Sequence, residues 1–321
     1  MTETILAEVQ NLSRYYGNLK AVNEVSFTLR QGEILGFLGP NGAGKTTTMQ
    51  VLSGNLAPSG GTVRIAGHDL LDEPKAAKAA LGYLPEQPPV YRDLTVDEYL
   101  DYCAALHRIP RARRIDARET AKAKCGLADV GRRLIGNLSK GYQQRVGIAQ
   151  AIIHLPPLVI LDEPTIGLDP IQIREIRTLI RELGKDHGVI LSTHILPEVQ
   201  ATCDRVQIIS KGNLVLTDSI DGLSRHLKSA ALIAAFRNPP AASEIERLPG
   251  VRSVEMQDGG RVRVLHDPEQ DPSEHLVRIA TERNWGLKEI APERASLEQI
   301  FVELTTTEPA AAETPASEAA A

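Results

Sequence analysis

The sequence predicts an α/β fold built round a parallel sheet, and three observations carry that expectation. Short continuous apolar runs, Ile34–Leu38, Leu158–Leu161 and Val189–Leu191, alternate with helical stretches such as Ile171–Leu183. Runs of that kind mark strands buried on both faces and joined by crossover helices. The first run leads straight into Gly39-Pro40-Asn41-Gly42-Ala43-Gly44-Lys45-Thr46-Thr47, a glycine-rich turn between a strand and a helix. Finally, residues Ile5–Leu29 alternate apolar and polar around a Tyr16–Gly17 turn, which predicts short antiparallel strands beside the parallel sheet.

The remaining elements follow in chain order. Thr62–Ile65 reads as a strand, Pro74–Leu81 as a helix, and Gly82–Pro85 as a strand end running into the proline-rich Pro85–Pro89. From Thr95 to about Gln150 the pattern is helical, opened by Thr95-Val96-Asp97-Glu98, a capped start. Strands Val206–Ser210 and Leu214–Thr217, joined at Gly212–Asn213, close a first domain spanning 1–222. Composition then shifts. Ala230–Arg237, Val251–Met256 and Val262–Leu265 read as strands, with helices near Ser243–Leu248, Ser273–Arg283 and Ser296–Leu304 and a tight turn at Gly259–Gly260. This predicts a small α+β domain over 223–305. The segment 306–321 contains only Ala, Glu, Thr, Pro and Ser, too little apolar surface to offset ordering, so a disordered tail is expected.

Whole-chain properties narrow the classes. At 321 residues there is room for one large or two modest cores. A net charge of −5 gives no global reason to expect nucleic acid as a partner. Cys103, Cys125 and Cys203 are odd in number and lack metal-ligand spacing, so free thiols are expected. Met1–Gln10 carries two glutamates and no apolar core, which does not resemble a secretory signal. The longest apolar stretch, around Val146–Leu161, is interrupted by Gln150, His154, Pro156 and Pro157, so no segment is expected to span a bilayer. The basic run Arg108–Lys124 is expected to be a solvated helix face, with lipid headgroups as the less favoured alternative.

The glycine-rich turn matches Gly-x-x-x-x-Gly-Lys-Thr, a phosphate-binding loop. Its glycines let the backbone curl so that N–H groups converge on an anion, and the helix that follows adds its own unpaired N–H groups. Lys45 is placed to reach the β- and γ-phosphates of a nucleoside triphosphate, and Thr46 to offer a hydroxyl to Mg²⁺. The strand Leu158–Leu161 ends in Asp162-Glu163, two acids at the carboxyl edge of the sheet, where open α/β folds bind ligands. Asp162 would hold Mg²⁺ with Thr46, and Glu163 would polarise a water for in-line attack. Ser139 and Gly141 open an apolar-periodic helix, which read alone is no more than an N-cap. His194, after another apolar strand, falls at the same sheet edge and could position the attacking water.

Taken together, this ordered set resembles the ATP-binding subunits of ABC transporters: the phosphate loop, Gln87, Leu138-Ser139-Lys140-Gly141-Tyr142, Asp162-Glu163, Gly167-Leu168-Asp169 and His194. The resemblance covers about Ile5 to Asp221 and implies a P-loop NTPase of the ABC type, with an antiparallel β subdomain and a helical signature subdomain. It implies ATP and Mg²⁺ as cofactors, with Tyr16 stacking on adenine and Gln87 touching Mg²⁺ and water. Ser139 and Gly141 would close on the γ-phosphate held by a second subunit, and Asp169 would communicate across that dimer. Lys140 and Tyr142 depart from the usual Leu-Ser-Gly-Gly-Gln. This variant, with Gln143-Gln144-Arg145-Val146, Ile195-Leu196-Pro197-Glu198-Val199 and the late Ser296-Leu297-Glu298-Gln299-Ile300-Phe301, is similar to the gliding-motility and drug-export branch.

The implied activity is ATP hydrolysis that energises a membrane exporter through ATP-driven dimer closure. The implied partners are a second copy or a paired ATP-binding subunit, an integral membrane permease, and no nucleic acid. The implied location is peripheral, on the cytoplasmic face of the inner membrane. One alternative is a soluble ATPase of the same type acting on ribosomes or DNA. Against it stand the single phosphate loop and the roughly 90 residues, without sustained heptads, between Lys45 and Ser139. Another is a regulatory binder that holds ATP without turnover, which Glu163 and His194 disfavour.

Overall fold

Strand β3 (Ile34–Leu38) is buried at all five positions and lies in the middle of a six-stranded sheet in a computed structural model that describes residues 4–222, 228–267 and 270–294. Its neighbours are β8 (Gly188–Thr193) on one side and β9 (Arg205–Ser210) on the other, both parallel to it. β7 (Leu158–Asp162) and β6 (Leu81–Leu84) extend the parallel run, and β10 (Asn213–Ser219) pairs antiparallel to β9 at the opposite edge. β7 and β8 are buried throughout, as strands covered on both faces must be. The alternating N-terminal segment folds as β1 (Ile5–Tyr16) and β2 (Leu19–Arg30), longer than the short strands expected, in an antiparallel sheet with β4 (Gly60–Ile65) and β5 (His68–Asp69). Val22, Val25, Phe27 and Leu29 face one core with Phe37, Met49 and Leu52.

Helix α1 (Lys45–Leu52) starts at the phosphate loop. Helix α2 (Pro74–Ala79) stops short of the expected Leu81, which instead opens β6, where it pairs with Leu158. The long helical region is three helices, α3 (Val96–Leu106), α4 (Arg111–Cys125) and α5 (Lys140–Ile152), that pack on one another. Thr95 caps α3 in a reciprocal box: its hydroxyl accepts from Glu98 N, and Glu98 Oε2 accepts from Thr95 N at 2.8 Å. The basic α4 is not simply a solvated face. Lys122 is 4% exposed and donates to Asp97 and Glu119, and Arg118 pairs with Asp101. α6 (Pro170–Gly184) and α7 (Leu196–Thr202) complete the crossovers. The β9–β10 turn is Lys211–Gly212, one residue earlier than expected, with both residues at positive φ. The three cysteines are free and buried.

The chain divides into two compact units between Ile220 and Asp221. In the second, β11 (Lys228–Phe236), helix α8 (Ala242–Ile245), β12 (Val251–Gln257), β13 (Arg261–His266), helix α9 (Ser273–Glu282) and β14 (Leu287–Arg294) make an antiparallel sheet in the order β12-β13-β11-β14. That is the β-α-β-β-α-β ferredoxin-like arrangement. Its core joins Phe236, Val262 and Val264 to Ile245, Leu276 and Trp285. β14 was not anticipated from sequence. The expected helix Ser296–Leu304 and the expected tail lie outside the described residues.

Candidate functional site

Two glycines of the turn after β3 stand where a side chain would meet backbone. A Cβ on Gly39 would sit 2.4 Å from Ile209 O, and one on Gly44, at φ 106, would sit 2.3 Å from Ala21 O. Gly212 N donates to Ala43 O at 3.0 Å and Asn23 N to Gly212 O at 2.9 Å, so the β9–β10 turn pins the loop against β2. Lys45, only 6% exposed, bends back over the loop: Nζ donates to Gly39 O at 2.9 Å and Pro40 O at 3.3 Å, and lies 3.4 Å from Glu163 Oε1.

A cavity of about 800 Å³ opens over this loop, lined by Asn41, Gly42, Gly44, Lys45, Thr46, Thr47, Tyr16, Glu163 and His194. Lys20, Glu86 and Lys211 also line it and were not singled out from sequence, and Gly212, expected only as a turn residue, lines it too. A turn was legible there, expected at Gly212–Asn213 and found at Lys211–Gly212. Nothing in the sequence said that the turn would fold back onto the loop. Tyr16 is half exposed at the rim, with the Arg14 guanidinium 4.8 Å from its ring centre.

Glu163 sits at positive φ of 48°, a conformation costing a non-glycine residue roughly 1 kcal/mol or more. Its backbone N donates to Ser192 O at 2.9 Å, and Ile166 N donates to Glu163 O at 3.2 Å. His194 Nδ1–H donates to Glu163 Oε2 at 2.9 Å, which leaves Nε2 without a protein partner among the described residues. The pair can therefore pass or hold a proton next to the loop.

Asp162 is fully buried, and neither carboxylate oxygen has a hydrogen-bond partner. Burial pushes its carboxyl above the ordinary carboxylate value; the nearby Ser192 and Thr46 hydroxyls pull the other way without closing a hydrogen bond. A carboxylate left this way fits a hard divalent cation. The described residues contain no group of three or more metal-ligating side chains. Mg²⁺ takes one or two protein oxygens and completes its shell from phosphates and water. Asp162 with Thr46 meets that description.

The other expected residues lie elsewhere. Gln87 lines an adjoining cavity of about 560 Å³ with Pro88, Arg92, Lys140 and Gln144, sharing Glu86 and Ile166 with the first. Ser139, Gly141 and Asp169 line a third cavity of about 420 Å³. Two helix N-termini meet there. Ser139 caps α5 by accepting from Tyr142 N, and Asp169 caps α6 by accepting from Ile171 N at 2.9 Å and Gln172 N at 3.0 Å. The signature therefore does not face the phosphate loop of its own chain.

Residues 22–166 match the family model described as ABC transporter. The chain is 34% identical over 301 residues to the bacitracin transport ATP-binding protein BcrA of Bacillus licheniformis, covering 93% of this chain and 97% of that one. It is also 34% identical over 309 residues to the ABC transporter ATP-binding protein YdbJ of Bacillus subtilis, covering 95% and 97%. Among solved structures, an ATP-binding subunit of an ABC transporter aligns with a TM-score of 0.62 and 32% identity over 69% of this chain and 92% of that one. The cbiO1 protein of Clostridium perfringens, part of the cbiONQ transporter complex, aligns at 0.64 and 26% identity over 69% and 91%.

Proposed function

The chain belongs to the ATP-binding subunits of ABC transporters, and from that premise we propose that two such chains close head to tail on ATP and drive export through a separate membrane permease. It is a transport-coupled ATPase of the P-loop type. The soluble ribosome or DNA reading finds no support: the relatives and structures above are transporter subunits. The observation that carries the dimer is the separation of Ser139 and Gly141 from the cavity over Lys45 on the same chain. Ser139 and the first turn of α5 face that separate cavity, placed to meet the γ-phosphate of a nucleotide held by another copy.

In this reading Lys45 leaves Gly39 O and Pro40 O for the β- and γ-phosphates, and Tyr16 covers the base. Glu163 takes the proton of the attacking water while His194, bonded through Nδ1, holds that carboxylate in place. Asp162 and Thr46 would hold Mg²⁺, which neutralises charge on the transferring phosphate. Gln87, on the adjoining cavity, takes part once its loop moves toward the phosphates. Asp169 couples the two sites. Residues 1–222 form the ATP-binding domain and 223–305 an accessory domain. Likeness across nearly the whole chain to BcrA, a bacitracin transport protein, supports the drug-transport branch. The place we assign is peripheral, on the cytoplasmic face beside a permease, in keeping with likeness to cbiO1, part of the cbiONQ transporter complex; among the described residues no helix is long and apolar enough to cross a membrane.

The test is ATP binding by the purified chain and its Lys45→Ala variant. Binding should vanish with the lysine. Undiminished affinity would overturn the phosphate-loop reading.

A further inference from the structure

Behind the Glu163–His194 pair lies a carboxylate that the mechanism has not used. Glu198, on α7, is 1% exposed and does not line the cavity over the phosphate loop. Both of its oxygens are engaged. Thr165 Oγ1 donates to Oε1 at 2.5 Å and Thr193 Oγ1 donates to Oε2 at 2.8 Å. The Arg177 guanidinium, on α6, stands 3.7 Å from Oε1.

The two threonines flank the pair in the chain. Thr165 belongs to the turn Glu163–Ile166 that keeps Glu163 at positive φ. Thr193 directly precedes His194, and its oxygen also accepts from Ile195 N at 3.1 Å, so the hydroxyl spans the histidine's own backbone. Glu198 N in turn donates to Ile195 O at 3.0 Å. One buried carboxylate thus bridges the loop after β7 to the loop after β8, and does so on both sides of the 2.9 Å bond between His194 and Glu163.

We propose that Glu198 is a positioning residue for hydrolysis: it holds the Glu163 turn and the His194 turn at a fixed separation, so that the carboxylate stays aimed at the attacking water. The inference rests on the ATPase reading above. A carboxylate suits the task because it accepts from two hydroxyls at once. Glutamine offers one acceptor oxygen and an amide that can only donate, so it satisfies one threonine and leaves the other hydroxyl without an acceptor. Alanine leaves both hydroxyls, and Arg177, without this partner. Misplacement of a reacting group by about 1 Å costs on the order of a hundredfold in rate.

The experiment measures steady-state ATP hydrolysis and, separately, ATP affinity for the purified full chain carrying Glu198→Ala, Glu198→Gln, Thr165→Val or Thr193→Val. The valine variants delete one hydroxyl each at unchanged shape, which guards against a fold lost with Glu198→Ala. Expected results are a kcat lowered about 10–100-fold in Glu198→Ala and partly in the other three. ATP affinity should stay within about twofold, so that the loss falls on kcat and not on binding. Adding Glu198→Ala to the Thr165→Val, Thr193→Val double variant should cost little more, since the links it cuts are already gone. A kcat within twofold of wild type in all four, losses that add fully, or equal losses of affinity and turnover would overturn the proposal. A wild-type chain without Lys45-dependent hydrolysis would instead overturn the reading on which it rests.

Discussion

Replacing Glu163 by glutamine keeps the side chain's shape while removing its charge, and the geometry fixes what should follow. At 5% exposure the carboxylate faces Lys45 Nζ at 3.4 Å and His194 Nδ1 at 2.9 Å. Loss of a general base lowers kcat about 10²–10⁴-fold, roughly 3–5 kcal/mol on the barrier. Binding should move the other way. Attraction between Lys45 and Glu163 at that distance is on the order of 5 kcal/mol gross at an effective dielectric of 20, and desolvation cancels most of it. Even about a tenth surviving as net competition with phosphate would tighten ATP binding roughly twofold once the charge is gone. Single-turnover phosphate release gives the first quantity and equilibrium titration with ATP the second. Turnover within threefold of wild type refutes the assignment of the base. Affinity weakened in step with turnover refutes it equally, because Glu163 would then be a binding group.

Further outcomes follow from buried groups and close contacts. Asp162→Asn should abolish Mg²⁺-dependent hydrolysis yet raise the thermal midpoint of the nucleotide-free protein at pH 7. Because burial raises the folded carboxyl above its ordinary 3.8, the native state binds the proton more tightly. Stability is therefore greatest below that value and is lost as pH climbs through the raised one, so the variant's gain should shrink in acid. His154 runs the opposite way. Burial and the His107 ring stacked at 3.7 Å hold it down to about 4 from 6.5, so its contribution is complete above pH 6.5 and is lost between 6.5 and 4. His154→Gln, which can still donate to Leu81 O, should move the acid-unfolding midpoint to lower pH; an unchanged midpoint counts against the assignment. Gly39→Ala should cost about 1–3 kcal/mol in urea unfolding, because its methyl meets the backbone oxygen of Ile209.

How much of this was legible in the sequence depended on whether the signal was local. Ile34–Leu38 and the glycine-rich turn were legible because burial on both faces and curling of the loop are written into consecutive residues. The cap at Thr95 was legible for the same reason. β14 was not: its Pro292 cannot donate to a ladder, and only its place at the sheet edge, beside β11, makes that harmless. The end of α2 was misjudged because Leu81 suits a helix as well as a strand, and pairing with Leu158 decided it. At the site, types of side chain were readable and distances were not. Gln87 is one residue from Glu86, yet Glu86 lines the cavity over the loop and Gln87 only its neighbour. The partly buried charges of α4 escaped notice because their partners, Asp97 and Asp101, lie on α3.

The shared site can be tested by mixing two inactive chains, one with Lys45→Ala and one with Ser139→Arg. Neither chain alone should hydrolyse ATP. In a mixed pair, the intact loop of the second chain meets the intact signature of the first and makes one complete site. Random pairing then predicts roughly a quarter of wild-type activity, since about half of the dimers would be mixed and each would carry one site of two. A mixture as inactive as its parents, with mixed dimers demonstrably formed, would contradict the account.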